Sequence, residues 1–234
     1  KVGIDRDSDL RRIGIMNDAL KKSKKTVQLL IDSNEYWSAK QAIRNIRAIE
    51  EHFEIFWVEE PARRWDYRGL RKVSQSVTAA VATGENLADI KDFTPLFQNE
   101  AVDVAQIGMG TSGITGMMKV ADMAYGYEIP VSLMNSPVNY EAAAASALSN
   151  HMMMEVFHDR DAGILVTDST IKDGYLVLGD TPGNGLSIDE SSLAKLPSSP
   201  MDNTGSGAGA SALGRRRGAG LMEVPTSEPE TLDE

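Results

Sequence analysis

Short apolar runs that stop abruptly at polar residues recur along the first two-thirds of the chain. Residues 27–31, 55–58 and 77–83 are rich in Val, Ile, Leu, Trp and Ala, and an acid follows each run within two residues. Uninterrupted apolar runs of this length predict strands that are buried on both faces of a sheet. We predict six strands, at residues 27–31, 55–59, 77–83, 102–107, 129–134 and 152–157.

The segments between these runs have apolar residues three and four positions apart, which is the spacing of an amphipathic helix. In residues 37–49, for example, Ala42, Ile46 and Ile49 would share one face. Residues 108–116 are rich in glycine and predict a loop. We predict helices at residues 7–22, 37–49, 66–76, 87–97, 117–125 and 140–148, the first with Leu10, Ile13, Ile15 and Leu20 as its apolar positions.

Strands and helices that alternate with a period of roughly 21 to 27 residues predict right-handed βα units and a parallel sheet. The acids that follow the strands would meet at one edge, and an eight-stranded (β/α) barrel carries its functional groups at that edge. An open doubly wound sheet is the rival, but it usually has a glycine-rich phosphate turn after its first strand, and none is visible in this sequence. We therefore predict an α/β fold of the TIM-barrel type, with about six βα units and an incomplete amino-terminal side.

The character of the sequence changes in its last third. Residues 174–179 predict one short strand, and residues 181–185 have the composition of a turn. Beyond about residue 197, Gly, Ser and Pro dominate, and such a segment buries too little apolar surface to order itself. We divide the chain into a partial barrel domain, residues 1–190, and a low-complexity, disordered tail, residues 191–234.

Composition narrows the class of protein. The 234 residues carry a formal net charge of −10, and such an acidic chain is unsuited to nucleic-acid binding, which needs a basic face. The chain has no cysteine, which excludes disulfides and thiolate sites and is compatible with a cytoplasmic protein. Since no apolar run approaches the roughly 20 residues of a membrane span, we also expect no membrane partner.

Asp32, Glu59 and Glu85 follow three successive predicted strands at equivalent points, roughly 27 and 26 residues apart. Three carboxylates at one barrel mouth repel one another unless a cation lies between them, and oxygen-only ligation suits Mg²⁺ and also admits Mn²⁺. We predict a divalent metal site whose open positions accept a small-molecule carboxylate substrate. The alternative is that each acid caps a neighbouring helix.

Four segments carry a resemblance to a known family. They are residues 29–34 (LLIDSN), 57–61 (WVEEP), 82–86 (ATGEN) and 129–133 (IPVSL). In this order they resemble the enolase superfamily, in its mandelate racemase-like branch, and the resemblance spans about residues 1–190.

The resemblance implies roles for single residues. Asp32, Glu59 and Glu85 match the acids that bind Mg²⁺ in this family, whereas Glu60 matches a neighbour that does not bind the metal. The family abstracts a proton α to a carboxylate with a lysine or histidine base. The base on one side is the second lysine of a Lys-x-Lys motif, which Lys1 matches.

One further candidate comes from the resemblance, and three come from the residues themselves. Glu155 resembles the carboxylate after the eighth strand, which hydrogen-bonds the substrate carboxylate. Asn34 and Asn86 are candidates for substrate binding through a ligand hydroxyl; orienting a carboxylate, or bonding within a local turn, is the alternative. His158, just beyond the last predicted strand, is a weaker candidate for a proton shuttle.

The sequence departs from the family on the opposite side of the site. The mandelate racemase-like branch pairs a histidine after the seventh strand with an aspartate after the sixth. The matching positions here are Met134 and either Ile107 or Gly108, and none of these side chains transfers a proton. Lys119 lies too far into the following helix to replace them.

These departures favour a carbon–oxygen lyase, an acid-sugar dehydratase, over a racemase. Lys1 would remove the α-proton, and the β-hydroxyl would leave with help from the metal or from an acid such as Glu155. The alternative is a catalytically reduced barrel that acts as a non-enzymatic binding or structural protein.

The resemblance also raises the question of completeness. The family's capping domain and first barrel strand have no counterpart in the sequence, so we expect either a fragment of a longer protein or a truncated relative. Because an opened barrel exposes strand edges, we expect a homo-oligomer in which a neighbouring chain covers them.

Overall fold

The computed structural model describes residues 1–23, 27–108, 110–111, 113–134, 140–156 and 164–194. Six parallel strands form its central sheet, and each strand pairs with the next strand along the chain. This order is the one that successive βα units produce. The strands are β1 (Leu30–Asp32), β2 (Trp57–Glu59), β3 (Ala80–Thr83), β4 (Val104–Gly108), β5 (Val131–Met134) and β6 (His151–Met154).

One helix precedes the sheet, and one lies in each connection between neighbouring strands. Aspartates cap several of them, as the Asp66 carboxylate shows by accepting the backbone N–H of Gly69 at 2.9 Å. The helices are α1 (Arg6–Lys22), α2 (Ala39–Glu50), α3 (Tyr67–Ser74), α4 (Ile90–Gln98), α5 (Gly113–Gly126) and α6 (Ala142–Ala145).

Strands β1 to β5 are largely buried on both faces, as the uninterrupted apolar runs predict, whereas β6 is only partly buried and its Met152 is exposed. Val58 and Val81 belong to the large core, which also contains the buried side chains of α2 to α5. Alternate residues of the strands point the other way, and there Trp57, Ala82 and Val104 form a second apolar cluster. The six parallel strands with their helices are consistent with part of a TIM-type barrel.

The apolar face predicted for helix α1 is wrong at one position, Ile15. Ile13 is buried, but Ile15 is 63% exposed, because residues two positions apart on a helix lie on different faces. The buried position is taken instead by Asp9, whose carboxylate accepts the backbone N–H of Gly3 at 2.7 Å. A charged residue in that place gives no periodic apolar signal.

Several element ends also differ from the prediction. The first strand begins at Leu30 and not at Val27, which is 45% exposed. Helix α5 begins at Gly113, so the glycine-rich loop is shorter than predicted, and α6 has only four residues. Apolar composition continues beyond the residues that pair, which is why it overestimates the length of the strands.

Four short strands and a helical turn follow the sheet: β7 (Leu165–Thr167), β8 (Thr170–Lys172), β9 (Tyr175–Val177), β10 (Leu186–Ile188) and α7 (Glu190–Leu193). Strands β8 and β9 form an antiparallel hairpin, and β7 pairs antiparallel with β10. The hairpin turns at Asp173 and Gly174, whose φ angles of 52° and 85° are left-handed. The short strand predicted at residues 174–179 is confirmed as β9, whereas β7, β8 and β10 were not predicted, because three-residue strands are too short to show an alternating pattern.

Helix α7 crosses the predicted boundary between the barrel domain and the tail. The rest of that tail, residues 195–234, lies outside the described residues, so its disorder stays a prediction. Within the described ranges, no helix is both long and apolar enough to cross a membrane.

Candidate active site

The three predicted metal ligands lie at the carboxyl-terminal edge of the sheet. Asp32 ends β1 and is the direct register partner of Glu59, which ends β2. Glu85 follows β3 by two residues. Asp32 and Glu59 are buried, whereas Glu85 is partly exposed. Three neighbouring strands thus deliver one carboxylate each to the same edge, as the sequence predicts.

The charge of Glu59 is strongly disfavoured in this place. Burial raises its pKa to about 8, the carboxylates of Asp32 and Glu85 add to the shift, and a hydrogen bond from the Gln106 side chain opposes it. Because Asp32 and Glu85 both act on Glu59, the three acids share one electrostatic site. The site carries more negative charge than its own hydrogen-bond donors compensate.

Gly84, directly before Glu85, determines the path of the backbone there. Gly84 has a φ of 131°, and a Cβ added there would lie 2.4 Å from the backbone oxygen of Gln106 and 2.8 Å from the ring of Phe93. Both contacts are too short for any side chain, so only glycine lets the chain approach β4 this closely. The bend at Gly84 is what turns Glu85 toward the other acids.

Lys1 lies next to Asp32. Its ammonium forms an ion pair with the Asp32 carboxylate, and the backbone N–H of Val2 donates to the Asp32 carbonyl oxygen at 2.8 Å. Burial lowers the pKa of Lys1, but the charges of Asp32, Glu59 and Glu85 outweigh it and raise that pKa. The predicted base is therefore in the predicted place and, as the structure stands, holds its proton.

The two asparagines bind carboxylates of the site. The backbone N–H of Asn34 donates to Asp32 at 2.7 Å, and its side chain donates to Asp32 at 3.3 Å and to Glu60 at 3.4 Å. The Asn86 side chain donates to Glu60 and, at 3.3 Å, to Glu85. Orienting a carboxylate is thus the observed role, while contact with a substrate stays a prediction.

Glu60 is the centre of these bonds. It is 1% exposed, and its φ of 44° is left-handed, which places its side chain between the loops after β1 and β3. Burial raises its pKa to about 8, and the charges of Glu85, Glu35 and Asp32 add to the shift. The sequence shows that an acid, Glu60, directly follows Glu59, but it does not show that Glu60 is buried.

Sequence reasoning missed an ion pair beside the site. Glu35, which is 1% exposed, accepts two bonds from the Arg64 guanidinium, 2.6 Å from Nε and 2.8 Å from Nη2. Arg64 also donates from Nη1 to the backbone oxygen of Asn86 at 3.1 Å. Both charged residues lie in loops, where charge is ordinary, so nothing in the local pattern marks them.

On the opposite side of the site, the described ends of β4 and β5 carry no acid or base. Gly108 and Met134 end β4 and β5 and are direct register partners. The Met134 sulfur accepts from the side chains of Gln106 at 3.5 Å and Ser132 at 3.8 Å, and all three residues are buried. The Gln106 oxygen Oε1 is buried and has no hydrogen-bond partner among the described residues. Met134 is thus adjacent in space to Gly108, one of the two positions, with Ile107, that match the family's aspartate.

Of the remaining candidates, the structure places Glu155, at the last strand of the sheet. Glu155 directly follows β6, is exposed, and donates its backbone N–H to the Leu133 oxygen at 2.8 Å. It is at the sixth strand, whereas Asp32 is at the first, so the sheet order separates them. His158 lies outside the described residues.

The acids fit a divalent cation by their chemistry, although the described residues contain no cluster of three His, Cys, Asp or Glu already arranged as metal ligands. The bonds from Lys1 and the two asparagines draw the carboxylates toward protein donors. The three candidate ligands are all carboxylates, whose oxygens Mg²⁺ prefers, and a bound cation would relieve the repulsion that Asp32 and Glu85 exert on Glu59.

Parallel strands that alternate with helices and present acids at their carboxyl ends define a (β/α)-barrel type of protein with an acidic site at the barrel mouth. Within this class, the chain belongs to the enolase C-terminal domain-like family, whose profile matches residues 1–192. The match confirms the resemblance seen in the sequence.

Relatives with different activities are similar to this chain. An L-Ala-D/L-Glu epimerase of Clostridium acetobutylicum is 30% identical over 197 residues, which are 80% of this chain and 54% of the relative. A D-galactonate dehydratase family member of Pseudarthrobacter chlorophenolicus is 29% identical over 182 residues, 73% of this chain and 44% of the relative. The chain thus spans about half the length of these curated relatives.

Solved structures agree with the family. The crystal structure of an enolase from Bradyrhizobium, complexed with magnesium and mandelic acid, has a TM-score of 0.70 and 26% identity. The match covers 82% of this chain and 52% of that one. It supports the fold and shows the kind of ligands that one relative binds.

Proposed function

We propose that this protein is a Mg²⁺-dependent lyase or isomerase that removes the proton α to the carboxylate of a hydroxy acid or acid sugar, with dehydration favoured. The observation that carries the proposal is the asymmetry of the site. Three carboxylates and Lys1 meet on one side, whereas on the other side the described strand ends are Gly108 and Met134, neither of which transfers a proton. Epimerases and dehydratases among the relatives support this reaction class.

In this proposal, Asp32, Glu59 and Glu85 hold Mg²⁺, and Mn²⁺ suits the same oxygen donors. When bound, the cation would neutralise charge that develops on the substrate carboxylate as the α-proton leaves. Asn34 and Asn86 keep the acids in place through the bonds described above. The magnesium complex of the Bradyrhizobium relative supports the choice of metal.

Lys1 acts as the base in this proposal. Lys1 must first release the proton that it holds beside Asp32; its neutral amine would then take the α-proton, and the electron pair of the C–H bond would move into the substrate carboxylate. When that pair returns, the bond to the β-hydroxyl breaks, and an acid such as Glu155 supplies the proton that makes water the leaving group. The remaining enol becomes a 2-keto acid.

A reaction that needs two bases fits the site less well. Racemisation returns a proton to the opposite face of the α-carbon, which requires a second group there. Met134 and Gly108 cannot supply it. Dehydration needs the base on one face only, which is why it is favoured.

The test is to incubate the full chain with Mg²⁺ and a panel of aldonic and aldaric acids in deuterated water. Proton NMR should show exchange of an α-proton, or a keto acid should form, with at least one acid. A folded, Mg²⁺-binding protein that exchanges no α-proton in any of them would refute the reaction.

The second candidate function is that of a catalytically reduced barrel, a binding or structural protein without turnover. Two observations favour it. The side chains of the register partners Gly108 and Met134 cannot transfer a proton, and Lys1 forms an ion pair with Asp32. Calorimetric Mg²⁺ binding without exchange or product would support it. Weak turnover that disappears in Lys1→Ala would count against it.

A further inference from the structure

Arg64 connects three loops at the carboxyl edge of the sheet. It belongs to the loop after β2. Its guanidinium binds the Glu35 carboxylate, in the loop after β1, through Nε at 2.6 Å and Nη2 at 2.8 Å. Its third nitrogen, Nη1, donates to the Asn86 backbone oxygen, in the loop after β3, at 3.1 Å. One side chain thus uses its whole planar fork on two neighbouring loops.

Each of these three loops follows a strand that delivers one of the acids. Asp32 precedes Glu35 by three residues, Glu59 precedes Arg64 by five, and Glu85 is next to Asn86. A shift of any of these loops therefore moves an acid relative to the other two.

The backbone of these loops is strained. Asn34, Glu35 and Glu60 have φ angles of 45°, 59° and 44°, in the left-handed region that side chains other than glycine rarely adopt. Strained residues of this kind persist only where surrounding contacts hold them. The Arg64 guanidinium supplies such a contact for the loop that contains Asn34 and Glu35. Asn86, whose backbone oxygen accepts from Arg64, supplies one for Glu60, because its side chain donates to the Glu60 carboxylate.

Stability alone does not account for a buried ion pair at this place. The Glu35 side chain is 1% exposed and that of Arg64 is 22% exposed. An apolar pair of similar volume often stabilises a fold as well as, or better than, a buried ion pair. The loop backbone also has another anchor, because Arg63 donates from Nη1 to the carbonyl oxygens of Glu35 at 2.9 Å and Trp37 at 2.7 Å.

We infer that Arg64 is a positioning residue, which clamps the loops after β1 and β3 through Glu35 and Asn86 so that the three acids stay at the spacing a divalent cation requires. The inference rests on the proposed function in one respect, the assignment of Asp32, Glu59 and Glu85 as metal ligands. Arg64 itself touches neither metal nor substrate in this role.

The decisive variant is the double substitution Glu35→Met with Arg64→Met. It removes the clamp without leaving a buried charge unpaired, as the single Arg64→Met would. The control is Arg71→Met on α3, which breaks the exposed ion pair between Arg71 and Glu100. Calorimetry with MgCl₂ should show roughly 10- to 100-fold weaker binding for the double variant and unchanged binding for the control. The thermal midpoint of the double variant should stay near that of the wild type.

A second measurement separates this inference from the proposed metal site. Amide hydrogen exchange without added metal should be faster in the double variant around residues 33–36 and 84–87, and unchanged in the strands. If the wild type bound no Mg²⁺, the metal assignment would fail, but the exchange data would still decide whether Arg64 clamps the loops. Exchange equal to the wild type, or Mg²⁺ binding equal to the wild type, would overturn the positioning role. So would a loss of Mg²⁺ affinity that merely follows a loss of folded protein.

Discussion

Gly108 lies directly beside Met134, and a Cβ added at Gly108 would come within 2.5 Å of the Glu85 backbone oxygen. The loop after β3 therefore occupies the space that an acidic side chain at position 108 would need. At position 108 the backbone itself thus excludes an acidic side chain.

This contact predicts that Gly108→Asp is destabilising. The new side chain would push the Glu85 backbone away, and overpacking of this kind costs about 1–3 kcal/mol in free energy of unfolding. Urea unfolding measures the change. Met134→Leu, a volume-conserving change at the neighbouring position, serves as the control and should cost less than about 1.5 kcal/mol. Equal stability of Gly108→Asp and the wild type would show that the loop yields easily.

Glu59→Gln should separate stability from metal binding. Burial and two neighbouring carboxylates disfavour the charge of Glu59, so the neutral amide should raise the thermal midpoint of the metal-free protein, by about 2–4 °C for each kcal/mol gained. The same change removes a predicted ligand and should abolish Mg²⁺ binding in calorimetry. Glu54→Gln, at an exposed acid near the other end of β2, should change neither. Wild-type Mg²⁺ affinity in Glu59→Gln would remove Glu59 from the metal site.

Gln106→Met tests the buried amide behind Glu59. The Gln106 amide nitrogen donates a hydrogen bond to Glu59. Its oxygen is buried and has no partner among the described residues, which costs free energy of folding. The apolar substitute should therefore leave the thermal midpoint unchanged or higher while weakening Mg²⁺ binding by roughly 10-fold or more.

Ser132→Ala is the matched control for that variant, because Ser132 donates to the same Met134 sulfur. It should leave Mg²⁺ affinity unchanged. A lower thermal midpoint for Gln106→Met, with normal Mg²⁺ binding, would assign Gln106 a purely structural role.

Lys1→Ala should remove α-proton exchange while preserving metal binding. A general base contributes about 10²- to 10⁴-fold in rate, so exchange measured by NMR should fall by at least this range. Mg²⁺ affinity should stay the same or increase, because Lys1 no longer occupies Asp32. Lys21→Ala, in the exposed last turn of α1, should exchange like the wild type. Undiminished exchange in Lys1→Ala would mean that another group is the base.

Much of the fold could be predicted from the sequence because its signals are local. An apolar run that ends at Asp32 or Glu59 indicates both a strand and the edge where the acid lies, and parallel pairing then brings the acids together. The pairing of Glu35 with Arg64 could not be predicted in this way. The two residues are 29 positions apart, and an acid or an arginine in a loop is usually solvated. Their burial depends on the left-handed turn at Asn34 and Glu35, and a glutamate is not a residue type that marks such a turn in the sequence.

Gly84 shows how strongly the backbone restricts the choice of residue at this edge. It carries no functional group, yet every other amino acid would collide with β4 and displace the acid beside it. In a library that randomises the loop after β3, position 84 should therefore tolerate only glycine, as strictly as if it bound the ligand itself. Selection for activity at this edge would then retain a residue that takes no part in the chemistry.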